Sequence, residues 1–515
     1  MRIINTIKNS YYGFVTYFLQ IVLTLFVRKA FLSFLTIELL GYEGLFSSIF
    51  TIMSIADLGS ATFISYRLYS AVAIDDKDKI NQLLSIYRKI YCFTAKATIL
   101  VGLVISLFLK IIIKGSSYNW DYVYTVYFLQ LISIVLNYFL SYARIVFICY
   151  QKENENIKID FAVNCISSIV RIIVLVLYKS YVLYLIVKVV ETVVANLLIK
   201  NKVYKEYKWI KTNEPFNFNV LKELGIINDI KNGILTNIAG IVYFSTDNIV
   251  ISSIVGITDV GLIYNYSTIT NQVSNVINKI TNPFQSSIAN YVNSENRIKG
   301  NQLFHMFDKI SFIIASFVFT SIICLINPFI EIVFGSEKLL NYFFVFIISF
   351  DLYISINHMF VLKFRYCFGK YELDRNSILF AAVINLLLSF ILAPQYGVVG
   401  VKFATLIGQL GFWYGRVKVL YNTYIYEKTS HYFFKQILNI LILFVESSIC
   451  FIICNIISNN IFGFILKCFI CVLIPNIINL ALNLNTNEYK LFIEYAFKTK
   501  NEISNKYKTE KIIGH

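Results

Sequence analysis

Polar side chains follow one face of a predicted helix near the middle of the chain. They are separated alternately by three and four residues: Asn265, Thr268, Gln272, Asn275, Lys279, Asn282 and Ser286. Because an α-helix has 3.6 residues per turn, this spacing puts all seven side chains along one side. Such a row offers hydrogen bonds and a positive charge to a ligand, which is the chemistry of binding.

Shorter rows of the same kind recur in three other predicted helices. They consist of Tyr17, Gln20, Thr24 and Arg28; of Ser47, Thr51, Ser54 and Asp57; and of Asn232, Thr236, Tyr243 and Asp247. We infer that the four helices line one polar, water-accessible cavity. The alternative is that these side chains join packed helices by interhelical hydrogen bonds.

Charges within apolar segments bear on this choice, since each costs about 2.5–3.5 kcal/mol near the centre of a bilayer. Arg28, Arg171 and Lys279 have no acidic neighbour within one helical turn. Each therefore needs a carboxylate from another helix, as a structural ion pair, or a negatively charged substrate. A cavity with a surplus of cations favours an anion. Lys188 and Glu191, three residues apart, are most simply an ion pair within one helix.

Asp57 and Asp247 are candidates for ion coupling. A carboxylate in the membrane can take up a proton when burial raises its pKa, or it can bind Na⁺ together with oxygens such as those of Ser54 or Thr246. The competing interpretation is that Asp57 neutralises a basic residue of a neighbouring helix.

The composition predicts the elements that hold these residues. Of 515 residues, 57% are hydrophobic and 15% are charged. Apolar runs of about twenty residues, each long enough to span a bilayer as a helix, recur along nearly the whole chain. We therefore expect an all-α integral membrane protein with fourteen transmembrane helices, at 8–36, 40–67, 88–113, 121–148, 157–178, 181–203, 227–256, 260–290, 307–333, 340–364, 375–394, 397–420, 434–457 and 460–483.

The basic residues predict the orientation. With fourteen spans and both termini in the cytoplasm, most Lys and Arg fall in cytoplasmic segments, and the opposite side has only Lys110, Lys114, Lys179, Lys338 and Lys402. This explains the net charge of +16 through anionic headgroups, without a nucleic-acid partner. The loops predicted outside are short, which leaves no room there for a catalytic domain.

Two similar segments indicate an internal repeat. GLFSSIFT begins at Gly44 and GLIYNYST begins at Gly261, each at the head of a predicted helix. We expect two pseudo-symmetric six-helix lobes at 1–210 and 211–430, joined by a basic linker at 200–231. A helix pair at 431–485 and a basic cytoplasmic tail at 486–515 follow. Repeats with polar groups at their interface are typical of secondary transporters.

Cysteine and histidine offer no metal site by spacing. Most of the nine cysteines lie in apolar runs, where we expect them to be packing residues. Cys468 and Cys471 form a CxxC, but neither a second pair nor a nearby histidine accompanies it. The four histidines are scattered.

The segment LGYEGLFSSIFTIMSIADLGSATFISYRLYSAVAIDDKDKINQLLSIYRKIY, from Leu40, resembles the second-helix region of the Wzx-type polysaccharide flippases. These belong to the multidrug/oligosaccharidyl-lipid/polysaccharide exporter superfamily. FSTDNIVISSIVGITDVGLIYNYS, from Phe244, resembles the start of that family's second half. Members usually carry an acidic residue before LG in the second helix, where Asp57 stands.

The resemblance implies an exporter that flips undecaprenyl-diphosphate-linked oligosaccharide across the bacterial cytoplasmic membrane by alternating access. Arg28 and Lys279, with Arg171 in addition, would hold the diphosphate. Sugar hydroxyls would meet Tyr17, Gln20, Asn265, Gln272 and Asn275. The helices at 434–483 would form a groove for the lipid tail, a polysaccharide polymerase would be a partner, and H⁺ or Na⁺ could drive transport without a bound cofactor.

Three rival classes of function remain: an exporter of other substrates, a membrane-embedded enzyme and a purely structural protein. A multidrug or cation exporter of the same superfamily should have an excess of acidic groups in its cavity. A membrane-embedded polymerase should have a long outer loop with paired basic residues, and an acyltransferase should have a catalytic histidine in the membrane, for which His358 is the candidate. A purely structural membrane protein would not need four polar rows.

Overall fold

Every regular element is a helix in the part of the chain that the computed structural model describes, which is residues 2–54, 60–212, 226–293, 297–367 and 375–495. Asp57 lies outside these ranges, so its predicted role in ion coupling stays a prediction. The longer helices are α1 (Arg2–Phe34), α2 (Ile37–Met53), α3 (Ser60–Ala73), α4 (Lys77–Ile112), α5 (Trp120–Leu140), α6 (Arg144–Cys149), α7 (Glu153–Tyr178), α8 (Tyr181–Glu206), α9 (Ile226–Ser245), α10 (Asp247–Ile254), α11 (Ile257–Thr281), α12 (Phe284–Asn293), α13 (Arg297–Phe334), α14 (Tyr342–Asn357), α15 (Met359–Tyr366), α16 (Arg375–Leu420), α17 (Thr429–Ile456) and α18 (Ile461–Asn483).

The helices form a multi-pass membrane protein. Within the described ranges, ten helical segments are long and apolar enough to cross a bilayer. Their outward sides are apolar too, as in α4, where Leu100, Leu107 and Ile111 are exposed. Large exposed apolar faces are costly in water and suit a lipid environment. The predicted all-α membrane fold is therefore confirmed, whereas the count of fourteen spans stays a prediction.

A glycine interrupts the longest helix. Gly397 in α16 has φ 54° and ψ −135°, which no helix allows. The backbone therefore leaves the helix at the first residue of the span expected at 397–420, directly after the span expected at 375–394. Only glycine adopts such dihedral angles at little cost, because it has no Cβ.

The helices divide into two compact units. Unit 1 comprises residues 1–268 and 382–404, and unit 2 comprises residues 269–381 and 405–515. These units follow internal packing, whereas the lobes expected from the sequence follow a repeat, and the lobe boundaries stay a prediction.

Close contact between α2 and α11 organises unit 1. A Cβ on Gly261 would lie 2.1 Å from the Ile37 carbonyl oxygen, and a Cβ on Gly41 would lie 2.1 Å from the Ile257 carbonyl oxygen. The two backbones therefore touch where side chains would not fit. Gly44, the first residue of one repeated segment, faces the Tyr264 ring in the other.

Buried polar side chains join the helices of unit 2. The Gln436 amide of α17 donates to Asp308 of α13 at 3.4 Å and accepts from Asn357 of α14 at 2.8 Å. Asn479 of α18 donates to Glu446 of α17 at 2.9 Å. Such bonds satisfy polar groups that lipid cannot solvate.

Candidate functional site

Lys188 of α8 pairs with a carboxylate of another helix. Its Nζ lies 2.9 Å from Oε1 of Glu43 in α2. The expected ion pair between Lys188 and Glu191 is therefore wrong. Residues three apart on a helix point about 60° apart around its axis. That difference directs Lys188 to α2, whereas Glu191 meets α7.

Glu191 of α8 forms an ion pair with Arg171 of α7. The two side chains approach to 3.5 Å, and the Arg171 guanidinium also donates to the Ser168 hydroxyl at 3.0 Å. Glu191 accepts further hydrogen bonds from Ser167 and from Asn164. Arg171 is 8% exposed, so this helix pair holds a buried cation through one carboxylate, the Ser168 hydroxyl and the Ser167 carbonyl.

Arg28 of α1 is the third cation and has no carboxylate within ion-pair distance in the described ranges. Its guanidinium carbon lies 4.8 Å from the centre of the Tyr264 ring, and its Nη2 donates to Thr268 at 3.4 Å. Nη1 is buried and donates to no described residue. Leaving a buried N–H of a charged group unsatisfied is costly, so this atom is available to an acceptor that enters the site.

These five residues, Arg28, Glu43, Arg171, Lys188 and Glu191, form what we call the charged cluster. Arg28, Glu43 and Arg171 line a cavity of about 90 Å³ together with Thr24, Val27, Phe31, Ser168 and Tyr184. Both arginines lie near enough to Glu43 to act on it electrostatically. As described, the cluster holds three cations and two carboxylates, so it carries one excess positive charge. It can accept an anion.

Asp247, expected to couple an ion, lies in a different arrangement. Its Oδ2 lies 2.7 Å from Nζ of Lys402, and Asn385 donates to Oδ1 at 3.5 Å. The carboxylate is 7% exposed. The pairing role that the sequence left open for Asp57 is thus the one that Asp247 shows, although pairing alone does not test ion coupling.

The other predicted site residues of unit 1 differ in their surroundings. Asn265 is 1% exposed, and neither of its amide atoms has a partner within the described part of the chain. Tyr17 and Gln20 are half-buried on α1. Thr24, from the same predicted row, reaches the cavity.

Three predicted residues belong to unit 2. Gln272 is half-buried, and Asn275 and Lys279 are exposed on α11, which continues as one helix to Thr281. Their roles in substrate binding stay predictions.

His358, the candidate for an acyltransferase, bonds through Nδ1 to the Ile354 carbonyl and lies 3.4 Å from Arg416.

Glu43 is the member of the charged cluster that the polar rows and the unpaired cations of the sequence did not indicate. It lies within the predicted span 40–67, in LGYEGLF, so a full count of acidic residues within spans would have found it. Tyr264 and Tyr184, which lie near the arginines, carry no signal in the sequence, because tyrosine is common here, with 37 in the chain.

A second cavity of unit 1, of about 560 Å³, has three basic residues and no acidic residue in its described lining. It is formed by Arg88, Tyr142, Lys200, Tyr204, Ile210, Lys211 and Thr212. Arg88 donates to Thr212 at 3.2 Å, and Lys200 lies 6.0 Å from the centre of the Tyr142 ring. It provides an internal comparison for the charged cluster, because its cations contact aromatic rings and hydroxyls.

Neither a protein-family profile nor a curated protein sequence matches the chain. Solved structures do. The lipid II flippase MurJ in an inward closed conformation aligns with 92% of this chain and 98% of its own, with a TM-score of 0.70 at 15% identity. An inward-facing multidrug resistance MATE family transporter of the MOP superfamily aligns with 78% of this chain and 94% of its own (TM-score 0.56, 15% identity).

The Vibrio cholerae MATE transporter VcmN gives a TM-score of 0.52 at 14% identity, over 81% of this chain and 98% of its own. Identities this low report on the fold. The chain has the fold that these transporters share.

Proposed function

We propose that this protein flips an undecaprenyl-diphosphate-linked oligosaccharide across the bacterial cytoplasmic membrane by alternating access, for a surface polysaccharide such as capsule or O-antigen. The observation that carries the proposal is the excess positive charge of the charged cluster, with Nη1 of Arg28 buried and lacking an acceptor among the described residues. A diphosphate supplies both the negative charge and the oxygen acceptors that a guanidinium binds best.

The size of the cavity limits which part of the substrate it can hold. At about 90 Å³ it is well below the roughly 300–1,000 Å³ of pockets that enclose drug-sized ligands. It suits a phosphate group, so the sugars must bind elsewhere. Tyr17, Gln20, Asn265, Gln272 and Asn275 are our proposed contacts for the sugars, and Lys279 is a proposed second ligand of the diphosphate.

The fold supports a transporter and leaves two substrate classes. A lipid II flippase shares the fold over 92% of this chain, and multidrug transporters share it less closely. The charged cluster favours the first class, because its excess positive charge repels a cationic drug. Export of cations is therefore the second candidate. We also propose that a membrane-bound polysaccharide polymerase is a partner of this protein. Both termini of this protein would then lie in the cytoplasm.

Transport by the purified protein in liposomes tests the substrate class. Three compounds are compared: a fluorescent undecaprenyl-diphosphate oligosaccharide, the same glycan on undecaprenyl monophosphate, and a lipophilic cation. A membrane-impermeant quencher reports which leaflet holds the lipid. We expect the diphosphate to be flipped fastest, the monophosphate more slowly and the cation not at all.

Two results would contradict the proposal. One is export of the cation by the same preparation without flipping of either lipid. The other is equal flipping of the glycan on a neutral lipid anchor, which would show that the anionic group is not recognised.

A further inference from the structure

Three buried thiols of unit 2 converge from three helices. Cys324 lies on α13, Cys454 on α17 and Cys471 on α18, and they are 4%, 2% and 1% exposed. Their sulfur atoms all lie within 4.8 Å of one another. We call these residues the thiol cluster. Packing alone needs small apolar side chains at these positions, but it does not need three sulfurs directed at one point.

This spacing suits a thiolate-bound metal ion. With metal–sulfur bonds of about 2.3 Å, three thiolates in a trigonal arrangement have sulfurs about 4 Å apart. The sulfurs of the thiol cluster need to move by less than about 1 Å each to reach that geometry. A disulfide between any two would leave the third thiol without a role.

The surroundings exclude water from the thiol cluster. Ile323, Leu325, Phe451, Ile470 and Ile474 pack against it, and Cys450, one turn before Cys454, is fully buried beside it. An apolar shell strengthens the attraction between a cation and thiolates, since little solvent competes with it. The shell also demands that the total charge of any occupied site be small.

One buried lysine satisfies this demand. Lys467 is 3% exposed, precedes Cys471 by one turn and acts electrostatically on Cys454. Its ammonium donates to Asn459 in the turn between α17 and α18, and Asn459 in turn donates to Glu331 at 2.6 Å. A divalent ion with three thiolates carries one negative charge, which the ammonium neutralises. A monovalent ion would leave one negative charge over.

We propose that Cys324, Cys454 and Cys471 bind one divalent, thiol-preferring metal ion of the zinc class, with Lys467 as the compensating charge. Each thiol that is protonated beforehand loses its proton to solvent when its sulfur binds the metal, so at most three protons are released for each ion bound. The ion joins α13, α17 and α18 and thereby stabilises the packing of unit 2. The inference is independent of the transported substrate.

Titration of the purified, reduced full-length protein with Cd²⁺ or Zn²⁺ tests the proposal. Cd²⁺ gives a sulfur-to-metal absorption band, and Zn²⁺ gives proton release and an upward shift of the thermal midpoint. We expect saturation at one ion per chain. Cys454→Ser should lower the affinity at least tenfold and remove the thermal shift, whereas Cys468→Ser should retain both. Cys468 is the matched control, because it lies three residues from Cys471 on the same helix and outside the thiol cluster.

A Lys467→Leu variant keeps the three sulfurs, adds no further metal ligand and removes the charge. We expect it to bind Cd²⁺ at the same stoichiometry with lower affinity, which a loss of folding would not produce. Equal affinities in the Cys454→Ser and Cys468→Ser variants, or the lack of a saturable stoichiometry in the unaltered protein, would overturn the proposal and leave three packing cysteines.

Discussion

The charged cluster and the ion pair of Asp247 with Lys402 both lie in unit 1, but they differ in charge balance. The pair has equal numbers of positive and negative groups, whereas the cluster has more positive than negative groups. At Asp247 one carboxylate meets one ammonium at 2.7 Å, with an amide beside it. In the charged cluster three cations share two carboxylates, and Nη1 of Arg28 has no acceptor in the part of the chain that the structure describes. A matched pair stabilises a fold and needs nothing more. A mismatch costs stability unless a ligand completes it, which distinguishes a binding site from structure.

The largest effect should follow removal of the unmatched cation. Arg28→Ala should lower flipping of the diphosphate-linked glycan by about 10- to 100-fold, because hydrogen bonds between charged groups are worth about 1.5–3 kcal/mol. Arg28→Lys should be intermediate, since it keeps the charge and loses the planar pair of donors. The thermal midpoint should change little, because no described carboxylate is left unpaired.

Lys200→Gln is the control for Arg28→Ala. It removes a cation from the second, larger cavity of the same unit, and we expect normal flipping. Equal losses in both variants would mean that the rate follows overall charge, and the site assignment would then fail.

Lys279→Ala extends the test to unit 2, where we predict a loss of flipping similar to that of Arg28→Ala.

Disruption of the Asp247–Lys402 pair should lower the stability of the fold, whereas removal of Arg28 should lower flipping. Asp247→Ala leaves the half-buried Lys402 ammonium without its carboxylate, which costs up to about 3 kcal/mol for a partly buried pair. We expect a lower thermal midpoint and less folded protein in the membrane. The double variant Asp247→Ala, Lys402→Ala should recover much of this loss, because it removes both charges.

The same double variant examines ion coupling. If Asp247 only neutralises Lys402, the double variant should flip substrate with an unchanged dependence on the H⁺ or Na⁺ gradient. A lost dependence would restore the coupling role expected from the sequence. Asp57→Asn, tested in parallel, should weaken the gradient dependence if Asp57 carries the coupling instead.

A smaller effect is expected when the excess positive charge of the charged cluster is increased. Glu43→Gln removes one carboxylate from the charged cluster and frees Lys188, so the excess positive charge rises from one to two. We expect inorganic diphosphate to inhibit flipping at a several-fold lower concentration, and the difference to shrink at high salt because screening weakens partly exposed charges. Unchanged inhibition would place the anion site away from Glu43.

The sequence alone indicates which charged residues matter, because a charge within an apolar helix is visible from its neighbours along the chain. An arginine in an apolar helix must have a partner, so Arg28 and Arg171 could be selected without a structure. Their partners could not be selected in the same way, because Glu191 lies 20 residues from Arg171 and Thr268 lies 240 residues from Arg28. The same holds for Lys188, whose partner Glu43 lies 145 residues away. The thiol cluster is equally remote in sequence. Cys471 was visible only as half of a CxxC, whereas Cys324 and Cys454 reach it through tertiary packing.

The smallest expected effect concerns the positioning of Arg28. A Cβ on Gly44 would lie 3.0 Å from the Tyr264 ring, so Gly44→Ala should displace the ring on which the Arg28 guanidinium rests. Cation–π contacts are worth about 0.5–2 kcal/mol, and a partial displacement should lower flipping only a few-fold. Gly13→Ala is the matched control on α1, because its Cβ would meet only Ile157 at 3.8 Å. If both alanine variants transport normally, Tyr264 is merely a packing neighbour, and the Thr268 hydroxyl alone orients Arg28 toward the cavity.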